Sequence, residues 1–439
     1  MSSRVTAVVV LVVLVGCLAA GFLLVIPRSS GPPAGTEQVK VDPTVDFSSA
    51  EIKAGDELSV RLRWAGYSGL VVGLVAAVLL GFWPWGARLA ESVARPLGGA
   101  WWVQVLVGGL AIVVLVRLCT LPFSAWTEAI RQDVGLSTRS WGGWAVDVVK
   151  GFGINSVLTL VTLLVLVGLA RRFTSWWWVV AAIGAAVLVI VVSFAYPVVV
   201  EPIFNKFTPM AEGPLRTSLL DLAKQDGVAV DDVLVADASR RTSSLNAYVS
   251  GFGSTRRIVV YDTLMDQASN AEIRNVVAHE LGHAKENDVL SGTLLGALGA
   301  AAAVVGLFLL MSWAPLPRHS GVMGVADGRV VALLLALIAV TSLLTAPVQS
   351  WASRQIEARA DLHALDLTKD PTTFTQMQRR LALASKADLT PNPILFAWFG
   401  THPTTAQRMA AARDWAIEHD VPVPPPLAPT GTSNETTTP

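Results

Sequence analysis

The feature that most constrains this chain is a series of long apolar segments. Seven of them lie near residues 5–27, 66–91, 100–121, 153–171, 175–199, 289–313 and 329–349. An α-helix needs about 20 apolar residues to cross the hydrocarbon core of a bilayer. Backbone polar groups in lipid must be satisfied within the segment, so helices are the expected structure. The sequence therefore predicts a mainly α-helical, polytopic membrane protein with about seven transmembrane helices.

Composition limits the classes of function that fit the chain. Only 15% of its 439 residues are charged, against roughly 25% in ordinary soluble domains. The formal net charge is zero, so the charge balance gives no argument for a nucleic-acid partner and none is expected. Arginine is frequent and lysine is scarce, which favours a bacterial source. We therefore expect a multi-pass protein of a bacterial cell membrane.

The first apolar segment contains Leu14–Cys17, which has the form of a lipoprotein cleavage site. The apolar run continues beyond it through Leu18–Ile26, whereas a cleavable signal ends near its cut site. We therefore predict an uncleaved first transmembrane helix.

Polar stretches divide the chain into a predicted order of parts. Transmembrane helices 1–5 and their loops occupy 1–199, a polar domain begins at 200–288, helices 6 and 7 follow at 289–349, the polar domain resumes at 350–420, and 421–439 forms a disordered tail. Short β-branched runs in the first polar part predict a small β-sheet. Two spans separate the polar parts, so both lie on one side of the membrane, although the loop charges do not identify that side.

The strongest chemical signal is an HELGH motif in the first polar part. Ser269 and Glu272 form a capping box that predicts a helix start. His279 and His283 lie four residues apart in this helix, so they share one face. Two imidazoles at this spacing can bind one Zn²⁺. Glu280 lies beside them and is the candidate general base, because bound zinc makes water acidic enough to lose a proton near neutral pH.

Catalytic zinc needs a third protein ligand and one open position. The extended HExxHxxGxxH pattern does not supply it, since Glu286 and Val289 stand where that pattern has Gly and His. A predicted helix after the seventh apolar segment carries Glu357 and Asp361 four residues apart. Glu357 is the candidate ligand, and Asp361 is the candidate to orient a ligand histidine or to assist proton transfer. Spacing alone fits equally well an amphipathic helix with ion pairs to nearby arginines such as Arg354.

Further segments match a known family. They are Glu201–Pro209, Asn246–Tyr248, Arg257–Leu264, Glu357–Asp361, Thr401–Pro403 and Arg408. Together with HELGH, and in this order, they make the chain resemble the CAAX prenyl protease 1 family of membrane zinc endopeptidases. The resemblance extends over roughly residues 195–410.

The resemblance implies a zincin-type metallopeptidase domain with one zinc ion per chain. The implied zinc ligands are His279, His283 and Glu357, the implied catalytic residues are Glu280, Asp361 and His402, and the implied substrate-binding residues are Asn246 and Arg408. Asp361 would be a proton donor, and His402 would bind substrate or stabilise the oxyanion. The family also implies that the helices enclose a chamber, with the site facing it on the cytosolic side. An extended peptide would bind along the Leu245–Val249 strand.

Three alternatives are weaker but remain to be tested. In an intramembrane site-two protease the HExxH helix lies in lipid, whereas this helix carries five charged residues around the motif: Glu272, Arg274, Lys285, Glu286 and Asp288. A heat-shock membrane protease has fewer spans. A catalytically silent scaffold has no need for Glu280. The physiological substrate, whether it is prenylated, and the oligomeric state are not readable from the sequence.

Overall fold

The structure is a computed structural model that describes residues 3–27, 38–251, 253 and 256–428. Its helices are α1 (Ser3–Val25), α2 (Ser49–Phe82), α3 (Trp85–Ala94), α4 (Trp101–Asp133), α5 (Trp141–Arg172), α6 (Trp177–Phe204), α7 (Pro214–Asp226), α8 (Asp262–Gln267), α9 (Asn270–Lys285), α10 (Asp288–Met311), α11 (Pro315–His319), α12 (Val331–Thr368), α13 (Pro371–Ser385), α14 (Pro393–Phe399) and α15 (Thr405–Glu418). The strands are β1 (Phe207–Pro209), β2 (Asp232–Ala236), β3 (Ala247–Ser250) and β4 (Arg257–Tyr261).

The predicted membrane architecture is confirmed. Among the described residues, seven helices are long and apolar enough to cross a bilayer, namely α1, α2, α4, α5, α6, α10 and α12 with the turn before it. Each one contains most of one predicted apolar segment.

The second span differs from its predicted bounds. We expected one helix over 66–91, but α2 ends at Phe82 and a separate helix, α3, begins at Trp85. Pro84 lies at the break. Proline has no N–H to donate and disfavours helical geometry in the residue before it, so the helix stops there.

The chain forms two compact units. The first contains the described parts of residues 1–26, 62–205 and 287–348, and the second contains those of 27–61, 206–286 and 349–439. The first unit has an apolar core that includes Trp178, Leu333 and Val167. The second unit overlaps the predicted polar parts 200–288 and 350–420, and it also contains described residues of 27–61.

A buried ion pair explains why the segment around Asp46 belongs to the second unit. Arg413 donates to the Asp46 carboxylate at 2.8 Å, and both side chains are buried. The same arginine donates to the carbonyl of Pro424 at 3.1 Å, and Leu427 donates its backbone N–H to Asp46 at 3.2 Å. The first residues of the predicted disordered tail, up to Ala428, are therefore packed, while 429–439 lie outside the described residues.

A four-stranded sheet supports the second unit, in the order β1-β2-β4-β3. β2 and β4 are parallel, whereas β3 pairs antiparallel with β4 and lies at the edge. The strand predicted at 245–249 is observed at Ala247–Ser250. Val277 and Leu281 of α9 share a core with Ile258 and Val260 of β4, so the helix that carries HELGH is fixed by the sheet.

Candidate active site

Helix α9 begins with the predicted capping box. The Ser269 N–H donates to the Glu272 carboxylate at 2.8 Å, and Ser269 Oγ accepts the Glu272 N–H at 3.3 Å. Arg380 also donates to that carboxylate at 2.8 Å. Burial opposes ionisation of Glu272, but these hydrogen bonds prevail and lower its pKa from 4.5. These contacts set where the helix begins, and His279 lies about two helical turns after Glu272.

Three residues on two helices, His279, His283 and Glu357, bring possible metal-ligand atoms close together. Nε2 of His279 lies 3.2 Å from Nε2 of His283 and 3.2 Å from Oε2 of Glu357. Nε2 of His283 lies 3.8 Å from the other oxygen of Glu357. All three residues form a group that could hold a metal ion. The two histidines are on α9 and the glutamate is on α12, as the sequence predicts.

These separations fit a zinc ion. Zinc bonds of 2.0–2.1 Å in tetrahedral geometry place neighbouring ligand atoms about 3.3 Å apart. Nε2 of His279 lies 3.2 Å from Nε2 of His283 and 3.2 Å from one oxygen of Glu357, and one ligand atom from each of the three residues lies within 4.8 Å of the others. Two imidazoles and one carboxylate also leave a fourth position open, which is typical of catalytic rather than structural zinc.

Asp361 connects the ligands to a buried arginine. Its Oδ1 lies 2.9 Å from Nδ1 of His279, and Arg408 donates to both of its oxygens, at 2.7 and 2.5 Å. The Asp361 side chain is only 4% exposed and that of Arg408 is 14% exposed. A carboxylate beside Nδ1 favours the tautomer whose proton is on Nδ1, which leaves Nε2 free to bind metal.

The electrostatics of the site follow from burial and these contacts. Burial lowers the pKa of His279, but contacts with the carboxylates of Asp361 and Glu357 outweigh it and raise the pKa to about 10. Bound metal has to replace that proton on the ring. Burial raises the pKa of Glu280, as suits a group that must accept a proton and later release it. Burial lowers the pKa of Arg408, but the Asp361 carboxylate prevails and raises it.

A pocket of about 200 Å³ brings the remaining predicted residues together beside the ligands. Asn246, Glu280, His402 and Arg408 all line it. Nε2 of His402 lies 3.4 Å from Oε1 of Glu357, although its side chain is 57% exposed. The second unit therefore collects every predicted site residue around one cluster.

Some site features were not predicted. Apolar residues also line the pocket, among them Val276, Met377 and Leu381. Helical spacing of the last two on α13 is the only local signal, and it is equally typical of ordinary core positions. Arg354, suggested as a partner for the acids of α12, instead donates to the carbonyl oxygens of Gly400 at 2.5 Å and Phe396 at 3.2 Å.

Comparisons with known proteins agree with this geometry. A family model described as Peptidase family M48 matches residues 209–416. A second model, described as CAAX prenyl protease N-terminal, five membrane helices, matches residues 61–206. The two matches lie on either side of residue 207, where the membrane unit gives way to the sheet.

Individual relatives cover most of the chain. It is 30% identical over 316 residues to the CAAX prenyl protease 1 homolog of Oryza sativa subsp. japonica, covering 69% of this chain and 72% of that relative. It is 29% identical over 317 residues to the uncharacterized metalloprotease YhfN of Bacillus subtilis, covering 70% and 73%. The crystal structure of S. mikatae Ste24p has the same fold, with a TM-score of 0.76, 19% identity and coverage of 92% and 98%.

Proposed function

We propose that this chain, which belongs to the CAAX prenyl protease 1 family and is a membrane metalloprotease, uses zinc. We further propose that it is an endopeptidase that acts on extended peptides. The proposed zinc ligands are His279, His283 and Glu357. One observation carries the proposal: His279, His283 and Glu357 each bring one ligand atom within 4.8 Å of the others, and His279 lines a pocket together with Glu280.

The bound zinc would polarise the scissile carbonyl and acidify water at the open position. Glu280 would accept the proton of that water on its carboxylate and pass it to the leaving amine. His402, next to the ligand set, would donate a hydrogen bond to the oxyanion as it forms. Asp361 would keep His279 in the tautomer that binds metal.

The sheet edge offers a binding site for the substrate backbone. Among the described strands, β3 lies at the edge of the sheet next to β4, and Asn246 directly precedes it and lines the pocket. An extended peptide can add to such an edge through main-chain hydrogen bonds. The apolar lining residues Val276, Met377 and Leu381 would contact an apolar side chain of the substrate.

The names of several relatives refer to CAAX prenyl proteases. For this chain we propose a broader class of substrate, unfolded or extended peptides. The pocket residues identified above would contact the peptide backbone and one apolar side chain. We propose that the site faces the cytoplasm, and the resemblance to the family supports this orientation.

The test compares wild-type protein with Glu280→Gln in detergent. Metal content is measured first, and then cleavage of an unfolded reporter peptide. We expect equal zinc in both and a loss of cleavage in the variant of about 10²- to 10⁴-fold. Cleavage by wild type no faster than by the variant would instead support a catalytically silent scaffold.

A further inference from the structure

The zinc ligands come from two separate helices, so the distance between these helices has to be set accurately. His279 and His283 are on α9, whereas Glu357 is on α12. Metal sites tolerate errors of only about 0.5 Å in ligand position. Asp361 supports the pair at the level of the ligands. A second connection lies further along both helices, at Lys285 and His363.

That connection is Asp226, the last residue of α7. One of its oxygens accepts from Lys285 on α9 at 2.7 Å, and the other lies 3.0 Å from Nε2 of His363 on α12. Its side chain is 2% exposed. Lys285 follows His283 by two residues, and His363 follows Asp361 by two residues. One buried carboxylate therefore bridges both ligand-bearing helices.

The position of Asp226 is unfavourable for α7 itself. A negative charge at a helix C-terminus interacts poorly with the helix dipole, and Gly227 ends the helix in the left-handed conformation directly after it. Burial of a carboxylate also costs free energy unless it is paired. Lys285 is half exposed, so an ion pair to it alone is weak. The interaction with His363, which is 17% exposed, is the one that burial strengthens.

Direct packing joins the helices at the same level. A Cβ atom on Gly282 would lie 3.0 Å from Cδ2 and 3.1 Å from Cβ of His363. The imidazole of His363 therefore rests on the backbone of α9, directly beside His283. Asp226 holds this ring from its Nε2 side.

We infer that Asp226 is a positioning residue for the metal site, acting through His363 to fix α12 against α9. The inference rests on the proposed zinc site. It predicts that loss of the Asp226 carboxylate weakens zinc binding while the open coordination position and the pocket stay intact.

The test uses the full chain in detergent and compares wild type with Asp226→Asn and His363→Leu. The leucine keeps an apolar contact with Gly282 but cannot bind Asp226. Zinc affinity is measured by chelator competition, and kcat and KM are measured at saturating zinc. We expect zinc affinity to fall about tenfold in both variants. This is the lower end of the roughly 10- to 100-fold loss that is typical when a residue supporting a metal ligand is removed. The double variant should be no worse than either single one, and saturating zinc should restore kcat with KM unchanged.

The matched control is Asp46→Asn, which removes a carboxylate equally buried in an ion pair, with Arg413. Neither of those residues lies on α9 or α12, so this control should lower thermal stability without changing zinc affinity. If Asp226→Asn and His363→Leu behave like the control, the inference is wrong. If wild type itself binds no zinc, the proposed function fails instead, which separates the two results.

Discussion

Replacement of Asp361 by asparagine tests how the site holds its metal. The change keeps the shape of the side chain and removes its charge. Asp361 contacts Nδ1 of His279 at 2.9 Å and accepts two hydrogen bonds from Arg408. Because Asp361 contacts His279 and Arg408 at the same time, we propose that it orients these two groups. The resemblance to the family implied a proton donor instead.

The expected effects have two sizes. Loss of a carboxylate that supports a ligand histidine costs about 10- to 100-fold in metal affinity, or about 1.4–2.7 kcal/mol. Asp361→Asn also leaves Arg408 buried without its counter-charge, and such breakage of a buried pair costs about 3–5 kcal/mol of folding free energy. Arg408 is 14% exposed, so the lower part of that range applies.

Three measurements on detergent-solubilised protein separate the effects: zinc affinity by chelator competition, kcat at saturating zinc, and the free energy of unfolding in denaturant. The double variant Asp361→Asn with Arg408→Gln removes the unpaired charge. It should recover stability but not zinc affinity. If Asp361→Asn binds zinc as tightly as wild type yet loses kcat at saturating zinc, Asp361 is a proton donor and the orienting role is refuted.

Three further changes have defined outcomes. Gly282→Ala places a methyl group 3.0 Å from the ring of His363, so zinc affinity measured by chelator competition should fall several-fold while the pocket stays intact. Glu272 has a lowered folded-state pKa, so its charge stabilises the fold above pH 4.5 and this contribution disappears as pH falls through the folded-state value. Thermal unfolding of Glu272→Gln should therefore show a lower melting temperature at pH 7 and a weaker decline below pH 4.5. Arg354→Met removes the hydrogen bonds to the segment that precedes His402, so kcat should fall while zinc content, measured by metal analysis, stays at the wild-type level.

Sequence patterns predicted those features that depend only on residues close together in the chain. A long apolar segment has only one satisfactory structure in lipid, so the seven spans were recognisable. The capping box of Ser269 and the i,i+4 spacing of His279 and His283 are both properties of a single helix. The proposed third ligand, Glu357, is 78 residues from His279, and only the family resemblance favoured it over an ion-paired surface residue.

The end of the seventh span was predicted less well, because the change from apolar to polar residues was interpreted as the end of a helix. We expected the seventh span to end at 349 and a separate helix to follow, but α12 continues unbroken from Val331 to Thr368. Polar residues such as Gln355 and Glu357 favour helix as readily as the leucines before them. Glu357 and Asp361 therefore lie on the same helix as the seventh span and not on a separate helix after it.

The hardest features were contacts between residues far apart in the chain. Asp226 and His363 are separated by 137 residues, and no periodicity links them. One local signal was nevertheless present, because an acidic residue directly before a helix-ending glycine opposes the helix dipole. Conflicts between a local rule and the global fold are expected at functional sites. An acid at such a helix end, in a chain already suspected of binding metal, is therefore a reason to look for distant cationic partners on the helices that carry the ligands.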